Sequence, residues 1–249
     1  APEVALDDVL RCMLPQGING CGFEQQLESM HLALLRSFSA DEAQFGFIRD
    51  DASLLVVIVS DEADCSYNKN WGDIFAQDGN RVFWSDPNAS FPTSAVCWNA
   101  GVACTITPDS YDCVPADKNV DGAPAATDEE AVLHPLSRYT EVLQGLEAEK
   151  HAIDPGLDVA VLAITGVGAD NQPHYADSLE DPAFQDSFGI GPGCKTVDPE
   201  FGFDYAVPPV RMRSVAELMS SDPLASICAA DYSSFMAATV EKLVGSCGG

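Results

Sequence analysis

Positive charge is scarce in this chain. Only 12 lysines and arginines face 39 aspartates and glutamates over 249 residues, a formal net charge of −27. Binding to nucleic acid needs a basic patch that displaces counterions, and attraction to an anionic membrane surface needs one as well. The composition therefore excludes both as partners. No apolar run approaches the roughly 20 residues that cross a bilayer, and no signal peptide is visible. There is no Cys-x-x-Cys pair, no Cys/His set at zinc spacing and no G-x-S-x-G elbow. The four histidines, His31, His134, His151 and His174, are scattered along the chain. Nucleophilic catalysis thus finds little support. A hydrolase that uses Asp61, Glu62 or Asp64 with His174 stands as the weakest reading, since paired carboxylates can do acid–base work but no motif accompanies them.

Apolar residues make up 46% of the chain, enough for a sizeable core. Nine cysteines stand at 12, 21, 65, 97, 104, 113, 194, 228 and 247. Cysteines this frequent in an acidic chain with Gly/Asn/Asp-rich loops read as disulfides from an oxidising compartment, extracellular or cell-envelope. Proximity in sequence pairs Cys12 with Cys21, Cys194 with Cys228, and Cys65, Cys97, Cys104 and Cys113 among themselves in either order. The odd cysteine, assigned to Cys247, is free or bonded outside this chain.

The most informative stretch runs from Leu54 to Cys65. Six apolar, mostly β-branched residues end abruptly in Ser60-Asp61-Glu62-Ala63-Asp64. Such a run reads as a strand buried on both faces, the kind found in a parallel sheet. Asp158–Thr165 is a second run of that kind. Ligands in open α/β sheets bind beyond the carboxyl ends of the strands, so Ser60, Asp61, Glu62 and Asp64 sit where such a fold keeps its site. Acidic oxygens there suit Ca²⁺ or Mg²⁺; the alternative is a solvated acidic loop. Helical spacing marks residues 3–14, the stripe Phe23, Leu27, Met30 and Leu34, residues 128–150, residues 212–220 and the last turns from Tyr232 to Leu243. Ser226–Ala229 reads as a short edge strand and 169–207 as a long loop. Residues 66–127 read as a disulfide-stapled insertion whose tryptophans, Trp71, Trp84 and Trp98, supply a small core in preference to a carbohydrate platform. The alternation of strand and helix predicts an α/β, doubly wound, mostly parallel sheet. Two strands of the fully buried kind need neighbours on both edges, and no upstream segment supplies them.

Several motifs in order carry a resemblance. They are Gly20-Cys-Gly-Phe-Glu-Gln-Gln-Leu-Glu28, Gly46-Phe-Ile-Arg-Asp-Asp51, Ser60-Asp-Glu-Ala-Asp-Cys-Ser66, His134-Pro-Leu-Ser-Arg-Tyr139, Pro208-Pro-Val-Arg-Met-Arg213 and Ser226-Ile-Cys228. Together they resemble the bacterial secreted or lipoprotein-anchored von Willebrand factor A-like proteins, from about residue 9 to 244 apart from the insertion. The resemblance implies a single Rossmann-like domain, secretion, and binding or adhesion without catalysis. It also implies a metal-ion-dependent adhesion site built from a DxSxS loop, a Thr in a second loop and an Asp after the fourth strand. Asp61 matches that last Asp. Gly17–Gly22 matches the second loop, with Ile18 and Asn19 where Thr is expected, and no DxSxS occurs. The match thus covers the carboxyl-terminal portion of the family's domain. Its upstream strands come from a missing amino-terminal half or from a protein partner, and the second functional reading is a structural subunit whose sheet another polypeptide completes.

A second cation candidate is Asp117-Lys-Asn119-Val-Asp121-Gly122, with Asp128 at the twelfth position. Alternating oxygens around a tight glycine turn suit calcium. The same residues read equally as an acidic Asp-Gly hairpin turn. Arg211 and Arg213, rare cations here, are expected to pair with acids across the sheet end.

Overall fold

The structure is a computed structural model that describes residues 22–108, 110–198 and 202–246. The helix expected over 3–14, the Cys12–Cys21 pair, the loop Gly17–Cys21 and Cys247 lie outside the described residues. The chain is α/β. Its elements are α1 (Gln26–Ser37), β1 (Leu54–Val59), a 3₁₀ segment (Lys69–Phe75), α2 (Ala95–Gly101), β2 (Val102–Ile106), β3 (Tyr111–Pro115), α3 (Ser137–Ile153), β4 (Val159–Thr165), α4 (Pro182–Phe188), β5 (Cys194–Asp198), β6 (Gly202–Ala206), α5 (Val210–Met219), β7 (Leu224–Ser226) and α6 (Ser233–Ser246).

The two apolar runs pair in parallel, Leu54 opposite Val159 through Val59 opposite Ile164. β7 adds on the far side of β4, so among the described residues the sheet has three strands in the order β1-β4-β7. Alternation along the strands sends Leu54, Val56 and Ile58 of β1 and Val159, Val161 and Ala163 of β4 to one face. There they pack with Leu27, Met30 and Leu34 of α1, Tyr139, Leu143 and Leu146 of α3, and Met212, Val215 and Ala216 of α5. Burial of such side chains contributes roughly 1.5–3 kcal/mol each. Glu28 of α1 accepts two 2.9 Å hydrogen bonds from the Arg138 guanidinium, which ties α1 to α3.

The expectation that both runs lie mid-sheet holds for β4 alone, which is buried along its whole length. β1 is an edge strand among the described residues, and Val57 and Val59 on its second face are 37% and 60% exposed. An apolar run reports the tendency to be buried; it does not report whether a neighbour is present.

Other boundaries shift for local reasons. α3 begins at Ser137, nine residues later than 128. The backbone before Pro135 is pushed out of the helical region and pairs instead with the insertion: His134 N–H donates to Ser66 O and Asn68 N–H to Val132 O, both at 2.9 Å. Residues 169–207 are not one loop. Asp181 caps α4 through the Phe184 N–H with Pro182 in the first turn, and β5 and β6 form an antiparallel hairpin. α5 starts two residues earlier than expected, and the last strand is Leu224–Ser226, its register set by Ala163–Thr165. The insertion does hold a core of its own: Cys65, Ile74, Phe83, Trp84, Val96, Cys97, Val132 and Leu133 cluster. Trp98 instead packs with Phe184, Ile190 and Val207.

Among the described residues three disulfides are present: Cys65–Cys97, Cys104–Cys113 and Cys194–Cys228. The first ties the loop after β1 to α2, the second staples the β2–β3 hairpin, and the third ties β5 to the segment after β7. Among the described residues no helix is long and apolar enough to cross a membrane.

Candidate functional site

The loop that leaves β1 divides its acids between two jobs. Asp64 is buried and structural. α1 has no side-chain cap of its own at Gln25, and its first amides are free donors. Asp64 Oδ1 accepts from Leu27 N–H at 3.0 Å and from Ser66 Oγ at 2.6 Å, while Ser66 Oγ accepts from Glu28 N–H at 2.8 Å. Asp64 Oδ2 accepts from Arg211 Nε at 3.0 Å, with the two side chains 0% and 2% exposed. Arg211 Nη2 then donates to His134 O at 2.6 Å. One buried ion pair thereby joins β1, α1, α5 and the start of α3. The pairing expected of the arginines across the sheet end is made by Arg211 alone; Arg213 reaches Glu217 at 3.5 Å within its own helix, α5. Asp64 drops out of the cation set.

Ser60, Asp61 and Glu62 remain at the carboxyl end of β1, where Glu24, Gln26 and Ser94 join them. Gln26 Nε2 donates to Ser60 Oγ at 2.6 Å and to Glu24 Oε2 at 2.9 Å. Glu62 N–H donates to Ser60 Oγ at 3.2 Å, and Ser94 Oγ donates to Glu62 Oε2 at 3.2 Å. Asp61 is exposed, and its carbonyl accepts from Val207 N–H at 2.7 Å. That approach brings the 206–208 segment against the end of β4, where a Cβ on Gly166 would stand 2.2 Å from Val207 O. Burial pushes the Glu62 carboxyl up to about 7; the Glu24 and Asp61 carboxylates add to the rise, and the Ser94 hydroxyl opposes it. A cation would relieve the same repulsion that favours the proton. Glu24 and Gln26 lie inside the Gly20–Glu28 motif but gave no separate signal, and nothing in the spacing of the insertion pointed to Ser94.

In the insertion, Asn119 Oδ1 accepts from the N–H groups of Asp121 (3.0 Å) and Ala123 (3.1 Å), and Asn119 N–H donates to Ala123 O at 2.8 Å. Gly122 sits at φ +80°, the left-handed position that suits glycine. The turn is thus closed by its own hydrogen bonds. Burial raises Asp117 above its ordinary range; Arg211 opposes the rise, and nearby Asp128 adds to it. Among the described residues, the only three acidic or histidine side chains with ligand atoms all within 4.8 Å of one another are Glu147, His151 and Asp158. The acids of neither predicted cation set form such a triad among the described residues.

The open side of β1 is the third feature. Leu54 N–H donates to Asp158 O at 2.9 Å and Ser60 N–H to Ile164 O at 3.2 Å. In a parallel ladder, alternate residues face each neighbour, so residues 54, 56, 58 and 60 face β4. The N–H and C=O groups of Leu55, Val57 and Val59 face outward, and no strand pairs with them among the described residues. A groove of about 340 Å³ runs along this edge, walled by Met30, Ala33 and Leu34 of α1 and by Phe47, which is 76% exposed. Comparison of the chain with protein-family models, curated proteins and solved structures finds no match.

Proposed function

We propose that this protein is a non-enzymatic, extracellular binding module of the von Willebrand factor A-like kind, whose doubly wound sheet is completed along β1 by a strand from a protein partner. The single observation that carries the reading is the open edge itself. Three outward-facing peptide groups lie beside an apolar groove, at a strand whose composition matches the interior of a sheet. An extended polypeptide satisfies both needs at once: its backbone continues the ladder, and its side chains cover Val57, Val59 and Phe47. The role follows as binding or adhesion, or as a subunit of an envelope assembly. The three disulfides fit an oxidising compartment.

Divalent cations, Ca²⁺ or Mg²⁺, are the second part of the reading. Asp61, Ser60 and Glu62, with Glu24 beside them, lie next to the edge that the partner strand would extend. There a cation would bridge to an acidic group of the partner. Asp117, Asn119, Asp121 and Asp128 form the second cation loop, which rigidifies the insertion.

Native mass spectrometry of the protein purified from its source without denaturant tests the reading. The expected result is a second polypeptide travelling with the chain, and its loss in a Val57→Pro variant. Proline at 57 removes only an outward N–H, so the β1–β4 ladder survives. A lone chain of 26.5 kDa under all conditions would refute it.

A further inference from the structure

We infer that Glu147, His151 and Asp158 form a third, independent metal site, for a transition-metal ion of the zinc class, at the opposite end of the sheet from Asp61. Glu147 and His151 are four residues apart on the last turns of α3, so they share one face. Asp158 directly precedes β4, and its backbone is fixed on both sides: its carbonyl accepts from Leu54 N–H at 2.9 Å, and its N–H donates to Ser53 Oγ at 3.1 Å. One ligand atom from each of the three side chains lies within 4.8 Å of the other two. His151 Nε2 and Asp158 Oδ1 are already 3.3 Å apart. Two ligands bound at about 2.0 Å in tetrahedral geometry stand about 3.3 Å from each other, so this pair already has the separation of two ligands of one ion. Glu147 closes the set by a rotamer change of its flexible side chain.

The helix end favours a cation, and a hollow beside the site leaves it room. The site sits at the carboxyl-terminal end of α3, where the last carbonyls give the helix its negative pole. A hollow of about 180 Å³ opens beside Glu147 and Asp158, space for a water as fourth ligand. Lys242 lies across that hollow, with Nζ 3.5 Å from Ser221 Oγ. One imidazole with two carboxylates and an open position suits zinc-class ions over Ca²⁺, which takes six to eight oxygens.

Titration of the full chain with Zn²⁺, followed by calorimetry and native mass after alkylation of free thiols, tests the site. The expected result is one Zn²⁺ per chain that an equal concentration of Ca²⁺ does not displace. His151→Ala and Asp158→Asn should each weaken it at least tenfold, and Co²⁺ should give a visible absorption band that His151→Ala abolishes. All three side chains lie at the surface, so the variants stay folded, and the Asp61 end is untouched. Absence of stoichiometric Zn²⁺ binding, or equal binding by His151→Ala, would overturn the inference.

Discussion

Replacing Asp64 by Ala should be the most damaging single change in the strand-end loop. The side chain is fully buried and accepts three hydrogen bonds, from Leu27 N–H, Ser66 Oγ and Arg211 Nε. Removing it strands the Arg211 guanidinium in the interior. Breaking a buried pair from one side costs about 3–5 kcal/mol, and loss of a helix cap adds about 1 kcal/mol. For a chain of this size each kcal/mol moves the midpoint by roughly 2–4 °C, so Tm should fall by roughly 8–24 °C. Thermal and urea unfolding followed by circular dichroism read it. Replacing both partners, Asp64→Leu with Arg211→Met, should recover part of the loss, because no charge is then left unpaired. The cap on α1 stays missing, so recovery is incomplete. A fall of less than about 1 kcal/mol for Asp64→Ala, or a double variant worse than the sum of the two single ones, would refute the claim that this pair organises the loop.

Four further outcomes follow from the same geometry. Glu62, with its folded-state pKa raised to about 7, contributes stability that is fully present below the ordinary carboxylate range and is lost as pH rises through about 7. Glu62→Gln should therefore be more stable than the parent at pH 8 and no more stable at pH 4 in urea unfolding, and an equal change at both would contradict the assignment. Intact mass without reductant should lie at least six protons below the fully reduced mass, one pair for each of the three bridges. Cys194→Ala with Cys228→Ala, which opens a span of 34 residues, should cost about 4 kcal/mol by loop entropy. EDTA should lower the midpoint, and Asp117→Ala with Asp121→Ala should remove that sensitivity; an unchanged midpoint on chelation would remove the calcium loop from the account.

Much of the framework was legible because it rests on local signals. The 54–59 and 159–165 runs are apolar and β-branched enough to read as buried strands, and α1 shows its stripe at Leu27, Met30 and Leu34. The start of α3 was misplaced because Leu133 and His134 are spent on pairing with the Ser66–Asn68 stretch, a long-range bond that periodicity does not encode. The β5–β6 hairpin was missed for a similar reason, since its pairing lies within a stretch dominated by Gly, Pro and Asp. At the site, the motif placed Ser60, Asp61 and Glu62 at a strand end, but the role of Asp64 came from Arg211, 147 residues away in sequence. Ser94 likewise reaches Glu62 across 32 residues of sequence, where the Cys65–Cys97 bridge holds α2 against the loop. The missing strand neighbours were visible in the sequence as an unmet need. The structure turns that need into three specific peptide groups.

Residue-resolved amide exchange along β1 of the isolated chain addresses those groups directly. The account requires alternation: slow exchange at Val56 and Ile58, whose N–H groups face β4, and fast exchange at Leu55, Val57 and Val59, which become protected only when a partner strand is added. Uniform protection of all five amides in the lone monomer would mean that the edge is already covered, and the proposed mode of binding would fall.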